Sequence, residues 1–206
     1  MLLTRRKTKV LDKTVKFAKI KMKRPAGTPI PEFPLPEGFK FALYKGGDEK
    51  CWARIEVSVG EFESEFAALM RFKEDFDSLE ELPRRCLFIE DPDGKKVATA
   101  TAWWSIVDGE RRAWLHWVSV DPQYQGLGLG KAISSRVTEL MREVEGDVDF
   151  YLSTQTWSHI AVGIYEKCGY EPTDEPILYG KAYKGHYKKA LKILEKLKKA
   201  RQKVVT

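Results

Sequence analysis

The 206-residue chain has little cysteine and no long hydrophobic run, and both absences exclude classes of protein. Its three cysteines, Cys51, Cys86 and Cys168, have neither the spacing of a disulfide framework nor that of a metal site, so we expect reduced thiols and no metal. No apolar run approaches the roughly 18 residues that a membrane-spanning helix needs, and the first residues lack the apolar core of a secretory signal. The expected location is therefore the cytoplasm, with no membrane partner.

Acidic residues are scarce at both ends of the chain. Residues 1–24 and 181–206 each hold ten Lys or Arg and one acid, a charge of +9 apiece, so the net charge of +6 leaves −12 for the residues between them. An acidic centre favours a cationic ligand such as an amine, although a merely solvated acidic surface explains it equally well. No nucleic-acid-reading motif accompanies the basic ends, so nucleic acid is not an expected partner.

Composition and periodicity divide the chain into three regions. Residues 1–36 are expected to form a basic, proline-rich extension whose first part is amphipathic or strand-like. Residues 37–183 are expected to form a single domain, and residues 184–206 a basic helix. Within the domain, Asp-Gly turns are expected to join consecutive strands into hairpins. Strands are predicted at 40–44, 86–90, 97–106, 111–120 and around 151–154, and helices within 48–79, after 128 and from about 161.

The most informative segment, Val118 to Lys131, joins a buried strand to a helix through a glycine-rich turn. Gly126, Gly128 and Gly130 let the backbone approach a ligand closely. The N-terminus of the following helix would present unpaired N–H groups to an anion, and a pyrophosphate is the expected guest. The apolar stripe of that helix consists of Ile133, Val137, Leu140, Met141 and Val144.

Two better-known phosphate loops do not fit this segment. A nucleoside-triphosphate loop requires a glycine where Gln125 stands and a Ser or Thr where Ala132 stands. A dinucleotide fingerprint requires a third glycine where Lys131 stands. The pattern that remains is Gln-x-x-Gly-x-Gly, which begins at Gln125.

This pattern, placed after the strand that ends at Val120, resembles motif A of the GNAT acetyltransferase superfamily, which binds the pyrophosphate of acetyl-coenzyme A. A second segment, from Ala161 to Tyr170, resembles motif B of the same superfamily, with Tyr170 in place of the usual Phe. Ser158 stands where many members carry Asn. Two motifs in the order and spacing of one superfamily identify the chain as similar to it.

The resemblance implies an α/β (α+β) fold with a mixed, mostly antiparallel sheet that is flanked by helices and splayed open between the strands preceding the two motifs. The pantetheine arm of acetyl-CoA would insert into the splay. Members are often homodimers, and the sequence leaves the oligomeric state open. The implied cofactor-binding residues are Val118, Ser119, Val120, Gln125, Gly126, Leu127, Gly128, Leu129, Gly130, Lys131, Ser158 and Tyr165.

The resemblance also implies an acetyl-CoA-dependent N-acetyltransferase, in which a primary amine of a small molecule, peptide or protein attacks directly in a ternary complex. Tyr165 occupies the position whose phenol protonates the departing thiolate in many relatives. His116 lies two residues before Val118 and is expected on the same strand face, which makes it the candidate base. A water held by a carboxylate is the alternative base.

Acceptor recognition is expected from the first helices and the hairpin strands, where aromatic and acidic residues concentrate. A second class of function also fits the sequence: a non-catalytic acyl-CoA sensor that acts through its basic ends. The two classes differ in whether thiol release follows cofactor binding. The predicted acceptor residues are Trp52, Glu61, Glu63, Trp103 and Trp104, although Trp side chains in a sheet are also common in cores.

Overall fold

In the computed structural model, which describes residues 11–179 and 183–205, seven strands form one mixed sheet. Residues 1–10 of the expected extension, residues 180–182 and Thr206 lie outside the described residues. The strands are β1 (Lys19–Arg24), β2 (Lys40–Leu43), β3 (Cys86–Glu90), β4 (Lys96–Val107), β5 (Glu110–Val120), β6 (Phe150–Gln155) and β7 (Glu171–Pro172). The helices are α1 (Glu49–Ser58), α2 (Glu65–Asp75), α3 (Leu82–Arg85), α4 (Leu129–Glu145), α5 (His159–Lys167) and α6 (His186–Val205).

The strand order is β2-β3-β4-β5-β6-β1-β7, and every neighbouring pair is antiparallel except β5 and β6. These two parallel strands pair only where Trp114 meets Tyr151 and Leu115 meets Leu152. Beyond Leu115 they are no longer paired, which opens the sheet between the strands that precede the two motifs. The structure thus confirms the predicted mostly antiparallel sheet flanked by helices.

A hydrophobic core lies between one face of the sheet and α4, α5 and α6. Ala98, Ala100 and Ala102 of β4 are fully buried in it, and their small side chains let α4 approach the sheet closely. The predicted apolar stripe of α4 faces this core, with Val144 at its half-buried end. Its buried members are Ile133, Val137, Leu140 and Met141.

An aromatic core fills the space between the opposite face of the sheet and α1 and α2. Trp52, Phe72, Phe76 and Trp103 meet there edge to face, with ring centroids 4.8 to 5.1 Å apart. Trp52 is 0% exposed and Trp103 is 2% exposed. Both were predicted to contact the acceptor, and the structure corrects this, because burial among aromatic rings leaves neither side chain a free surface.

The amino-terminal segment contributes a strand to the interior of the sheet. All six residues of β1 pair antiparallel with β6, and β1 also pairs with β7. Ile20 and Met22 are buried in the core beneath α6, whereas the lysines between them point to the other face. The expected boundary at residue 37 therefore does not coincide with an edge of the sheet.

The basic helix predicted at the carboxyl end is α6, which lies against β1. Ala190 and Leu194 are its buried contacts, and Leu191 stays partly exposed. The backbone N–H of Lys19 donates a hydrogen bond of 2.9 Å to Nδ1 of His186, which ties the start of α6 to the sheet. Within the described part of the chain, no helix combines the length and the apolar character that crossing a membrane requires.

Candidate active site

The splay between β5 and β6 opens into a cleft with a volume of about 1260 Å³. Its walls come from α1, β5, the loop before α4, β6, α5 and β1. Every residue that the sequence predicted to bind the cofactor lines this cleft, and so do both predicted catalytic side chains, His116 and Tyr165. Residues far apart in sequence therefore share one cavity.

The glycine-rich loop forms an open cradle at the start of α4. Gly126 and Gly128 have φ angles of 82° and 90°, in the left-handed region that favours glycine. A Cβ atom on Gly128 would meet nothing within 4 Å, so the space beside its backbone is free. The helix begins at the next residue, Leu129, and its first N–H groups have no carbonyl partner within the helix. This arrangement fits an anion such as the pyrophosphate of acetyl-CoA.

Two side chains hold the cradle on the end of β5. Nε2 of Gln125 donates a hydrogen bond of 3.0 Å to the carbonyl oxygen of Val120. Oδ1 of Asp121 accepts a 2.9 Å hydrogen bond from the N–H of Gln123, which starts the turn before the glycines. The glutamine of the motif therefore helps to position the loop, and it also lines the cleft.

A β-bulge at Trp117 changes which side chains of β5 face the same way. Trp117 has a φ of 51°, and the pairing with β4 shifts so that Thr101 opposes His116 while Thr99 opposes Ser119. His116 and Ser119 therefore share the face toward α1 and α2. Val118 faces the opposite core with Val120. The expectation that His116 shares a face with these valines is wrong, because it assumed unbroken alternation.

Glu56 of α1 is a buried carboxyl group on the wall of the cleft, and it is not among the site residues predicted from the sequence. It is 0% exposed, and its Oε2 accepts a hydrogen bond of 3.0 Å from Oγ of Ser119. No described residue bonds its other oxygen, Oε1. Burial raises the pKa of Glu56 to about 8, with Glu61 adding to the shift and the Ser119 hydrogen bond opposing it.

Glu56 carried a signal in the sequence. It follows Trp52 by four residues and Ala53 by three, which places a carboxyl group on the buried stripe of an amphipathic helix. Burying a charged residue in such an apolar stripe is energetically costly, so its presence there indicates a functional residue.

His116 lies on the same wall of the cleft and is held as a neutral imidazole. Its Nε2 is 3.3 Å from Oγ of Ser105, and its ring meets Phe76 edge to face with centroids 6.4 Å apart. Burial lowers the pKa of His116 to about 4, against an opposing effect of Asp75.

Tyr165 extends from α5 into the cleft and is 7% exposed. Burial raises the pKa of its phenol, and the negative charges of Glu56 and Glu61 act in the same direction. The phenol therefore keeps its proton at neutral pH. Ser158 lies one residue before α5 and lines the cleft, where its Oγ accepts a 3.1 Å hydrogen bond from Gln155.

Of the five predicted acceptor residues, only Glu61 lines the cleft. Glu63 is exposed, and it is not among the cleft residues. Trp104 stacks on Trp103 at 4.1 Å and carries the guanidinium of Arg111 at 4.4 Å, away from the cavity. The tryptophans that do line the cleft are Trp114 and Trp117 of β5. Among the described residues, no group of three or more His, Cys, Asp or Glu side chains is arranged to hold a metal ion.

The model of the acetyltransferase (GNAT) family matches residues 52–170, more than half of the chain. Two relatives are the mycothiol acetyltransferases of Salinispora tropica and Salinispora arenicola, each 26% identical over 160 residues. That match covers 72% of this chain and 50% of either relative, so the chain spans about half the length of these proteins.

Solved structures share the fold. A GCN5-related N-acetyltransferase from Sphaerobacter thermophilus superposes with a TM-score of 0.61 at 22% identity, over 77% of this chain and 49% of the other. A GNAT-family acetyltransferase from Colwellia psychrerythraea has a TM-score of 0.57 at 13% identity, over 79% of this chain and 55% of the other.

Proposed function

The chain belongs to the acetyltransferase (GNAT) family, and from that premise we propose that it is an N-acetyltransferase that moves the acetyl group of acetyl-CoA to a primary amine. One observation carries the proposal. A single cleft contains an anion cradle, a buried carboxyl group on one wall and a buried phenol on the other. The amine would attack directly, with both substrates bound together.

The residues of the cleft divide three tasks. Glu56, which is 0% exposed, takes the proton from the acceptor amine through a water. Backbone N–H groups of β5 beyond Leu115, which do not pair with β6, donate to the acetyl carbonyl and to the pantetheine arm. Tyr165 donates its proton to the departing sulfur. Acetyl-CoA would supply the activated thioester, and the loop from Gly126 to Gly130 would hold its pyrophosphate.

The pKa values favour Glu56 over His116 as the base. A free amine has a pKa of about 10, so passing its proton to a group with a pKa of about 8 costs roughly 3 kcal/mol. Passing it to a group with a pKa of about 4 costs roughly 8 kcal/mol. This replaces the expected base, His116, with the alternative expected from the sequence, a water held by a carboxylate.

The test is thiol release from acetyl-CoA across a panel of polyamines, arylalkylamines, aminoglycosides, amino acids and lysine peptides. We expect saturable release with one class of amine. Glu56→Gln should lower kcat/KM about 100-fold or more, because the amide cannot take the proton. Glu61→Gln is the matched control, since Glu61 lines the same cleft without the Ser119 hydrogen bond, and its loss should be smaller.

Two results would count against the proposal. Full turnover of Glu56→Gln would remove the carboxyl group from the reaction. Acetyl-CoA binding without thiol release for any amine would favour the non-catalytic sensor instead.

A further inference from the structure

Strand β1 places three lysines on the face of the sheet that looks toward α1 and α2, and only one of them is neutralised. Nζ of Lys23 lies 2.7 Å from Asp149 and 3.1 Å from Glu175. Among the described residues, no carboxylate lies within 4.0 Å of Nζ of Lys21 or of Lys19. Two neighbouring ammonium groups on one strand thus lack a counter-charge.

Lys21 contacts both strands that border the splay. Its Nζ donates a hydrogen bond of 2.6 Å to Oγ of Ser153 and lies 5.0 Å from the centroid of the Trp114 ring. Burial, followed by repulsion from Lys19, lowers the pKa of Lys21 to about 8, whereas the hydrogen bond to Asp149 raises the pKa of Lys23. A half-buried ammonium group beside another cation is stabilised when an anion binds next to it.

These cations line the same cleft as the proposed base. Lys19, Lys21 and Ser153 are part of its wall. Burial is the main cause of the lowered pKa of His116, and repulsion from Lys21 acts in the same direction. The acceptor half of the cleft is therefore bipolar, with the carboxyl groups of Glu56 and Glu61 on the α1 side and the ammonium groups on β1.

The phosphates of acetyl-CoA do not account for this positive charge. The glycine cradle continues into α4, which covers the opposite face of the sheet from the β1 lysines. Lys21 pairs with Ser153 across the strands and shares a face with Trp114, on the α1 side. An anion at Lys21 would thus belong to the acceptor.

We propose that Lys21, with Lys19 and the hydroxyl of Ser153, forms a subsite for a carboxylate or phosphate group of the acceptor. The inference rests on the proposed function and narrows its substrate class. The acceptor is then a molecule with both an amine and an anionic group. Its amine faces Glu56, and its anionic group faces β1.

Matched pairs of acceptors test the subsite. One arm compares an amino acid with its amide, and the other compares phosphoethanolamine with ethanolamine, so that carboxylate and phosphate sources are distinguished. In the unmodified enzyme, kcat/KM should be about tenfold or more higher for the anionic member of at least one pair. Lys21→Met should lower that value about 10- to 100-fold, mainly through KM, and change the neutral member less than about threefold.

Lys23→Met is the control, because Lys23 lies on the same strand and face but already has two carboxylate partners. It should leave the preference for the anionic acceptor unchanged, and Lys21→Arg should restore part of the preference. Equal losses of Lys21→Met for the charged and neutral members would overturn the proposal. Acetylation of Lys21 by acetyl-CoA alone, detected by mass spectrometry, would also overturn it, by showing that this amine is a target.

Binding provides a readout that does not depend on turnover. Millimolar acetate or inorganic phosphate should raise the pKa of Lys21. This pKa can be measured by NMR of the labelled side-chain amine, and the signal that disappears in Lys21→Met is assigned to Lys21. If the pKa of Lys21 rose but the protein released no thiol, the anion subsite would be supported and the proposed transferase activity would be contradicted. If the protein released thiol but the pKa of Lys21 did not change, the transferase activity would be supported and the subsite contradicted.

Discussion

Oγ of Ser119 donates a hydrogen bond of 3.0 Å to Oε2 of Glu56 and so joins strand β5 to helix α1 across the wall of the cleft. The bond exists because the bulge at Trp117 turns Ser119 toward α1. With regular alternation from His116, the side chain of Ser119 would point to the other face. One irregular residue thus brings a serine, a histidine and a buried carboxyl group to the same side of the sheet.

Ser119→Ala should move the pH dependence of the reaction. The serine hydrogen bond lowers the pKa of Glu56, so its removal should raise that pKa further above its ordinary value. The acidic limb of kcat/KM, expected near pH 8 in the unmodified enzyme, should shift upward by about one unit. Ser105→Ala is the matched comparison, because Ser105 contacts His116. If the acidic limb of kcat/KM shifted in Ser105→Ala but not in Ser119→Ala, His116 rather than Glu56 would be the base.

Glu56→Gln should stabilise the fold in a pH-dependent way. The pKa of Glu56 is raised from 4.5 to about 8, so the folded state binds its proton more tightly than the unfolded state. The penalty for burying this carboxylate is absent below pH 4.5, grows as pH rises and is complete above about pH 8. The free energy of unfolding of the variant should therefore exceed that of the parent by up to about 4 kcal/mol at pH 8 and by little at pH 5. Urea unfolding at several pH values measures this difference, and a constant difference would contradict the raised pKa.

Tyr165→Phe should lower turnover more than cofactor binding. The phenol is buried and keeps its proton, so its loss removes the proposed proton donor for the leaving thiolate, while the ring still packs in the core. We expect kcat to fall about 100-fold and the Kd for acetyl-CoA to change less than about threefold. Tyr170→Phe is a control, because Tyr170 lies in the same core and its hydroxyl is 3.4 Å from Thr138. Full turnover of Tyr165→Phe at neutral and high pH would exclude Tyr165 as the acid.

The strands of the motifs and hairpins were predictable from sequence. The predicted segments 86–90, 97–106 and 111–120 agree within one residue at each end with Cys86–Glu90, Lys96–Val107 and Glu110–Val120. Their apolar and β-branched residues are bounded by Asp-Gly turns, which are strong local signals. The glycine-rich cradle was also predictable from a local signal, because the left-handed backbone at Gly128 favours glycine.

The remaining features depend on tertiary contacts. No residue around Trp117 indicates a bulge, because a bulky aromatic residue rarely adopts a positive φ. Trp117 does so here while its ring packs against the rings of Trp52 and Phe62. Strand β1 alternates lysine with apolar residues, which agrees with the amphipathic or strand-like extension expected there, but its place between β6 and β7 depends on the assembled sheet. Two of its lysines, Lys19 and Lys21, border a cleft that only the assembled sheet creates.

Gly128→Ala should weaken acetyl-CoA binding. The φ of 90° strains any residue with a Cβ atom, and that Cβ would project into the open cradle where an anion is expected. We expect the Kd for acetyl-CoA to rise about tenfold or more by calorimetry. Gly130→Ala should have a smaller effect, because its Cβ would meet the flexible end of Ile164 at 3.2 Å and helix propensity improves.

Gly146→Ala separates strain from binding. Gly146 ends the same helix with a φ of 81°, and a Cβ there would also meet nothing within 4 Å, but it lies at the opposite end of α4 from the cradle. Its replacement should lower the melting temperature at least as much as Gly128→Ala and leave the Kd for acetyl-CoA unchanged. If both variants weakened binding equally, the loss at Gly128 would reflect a damaged helix, and the cradle would have to be placed elsewhere in the cleft.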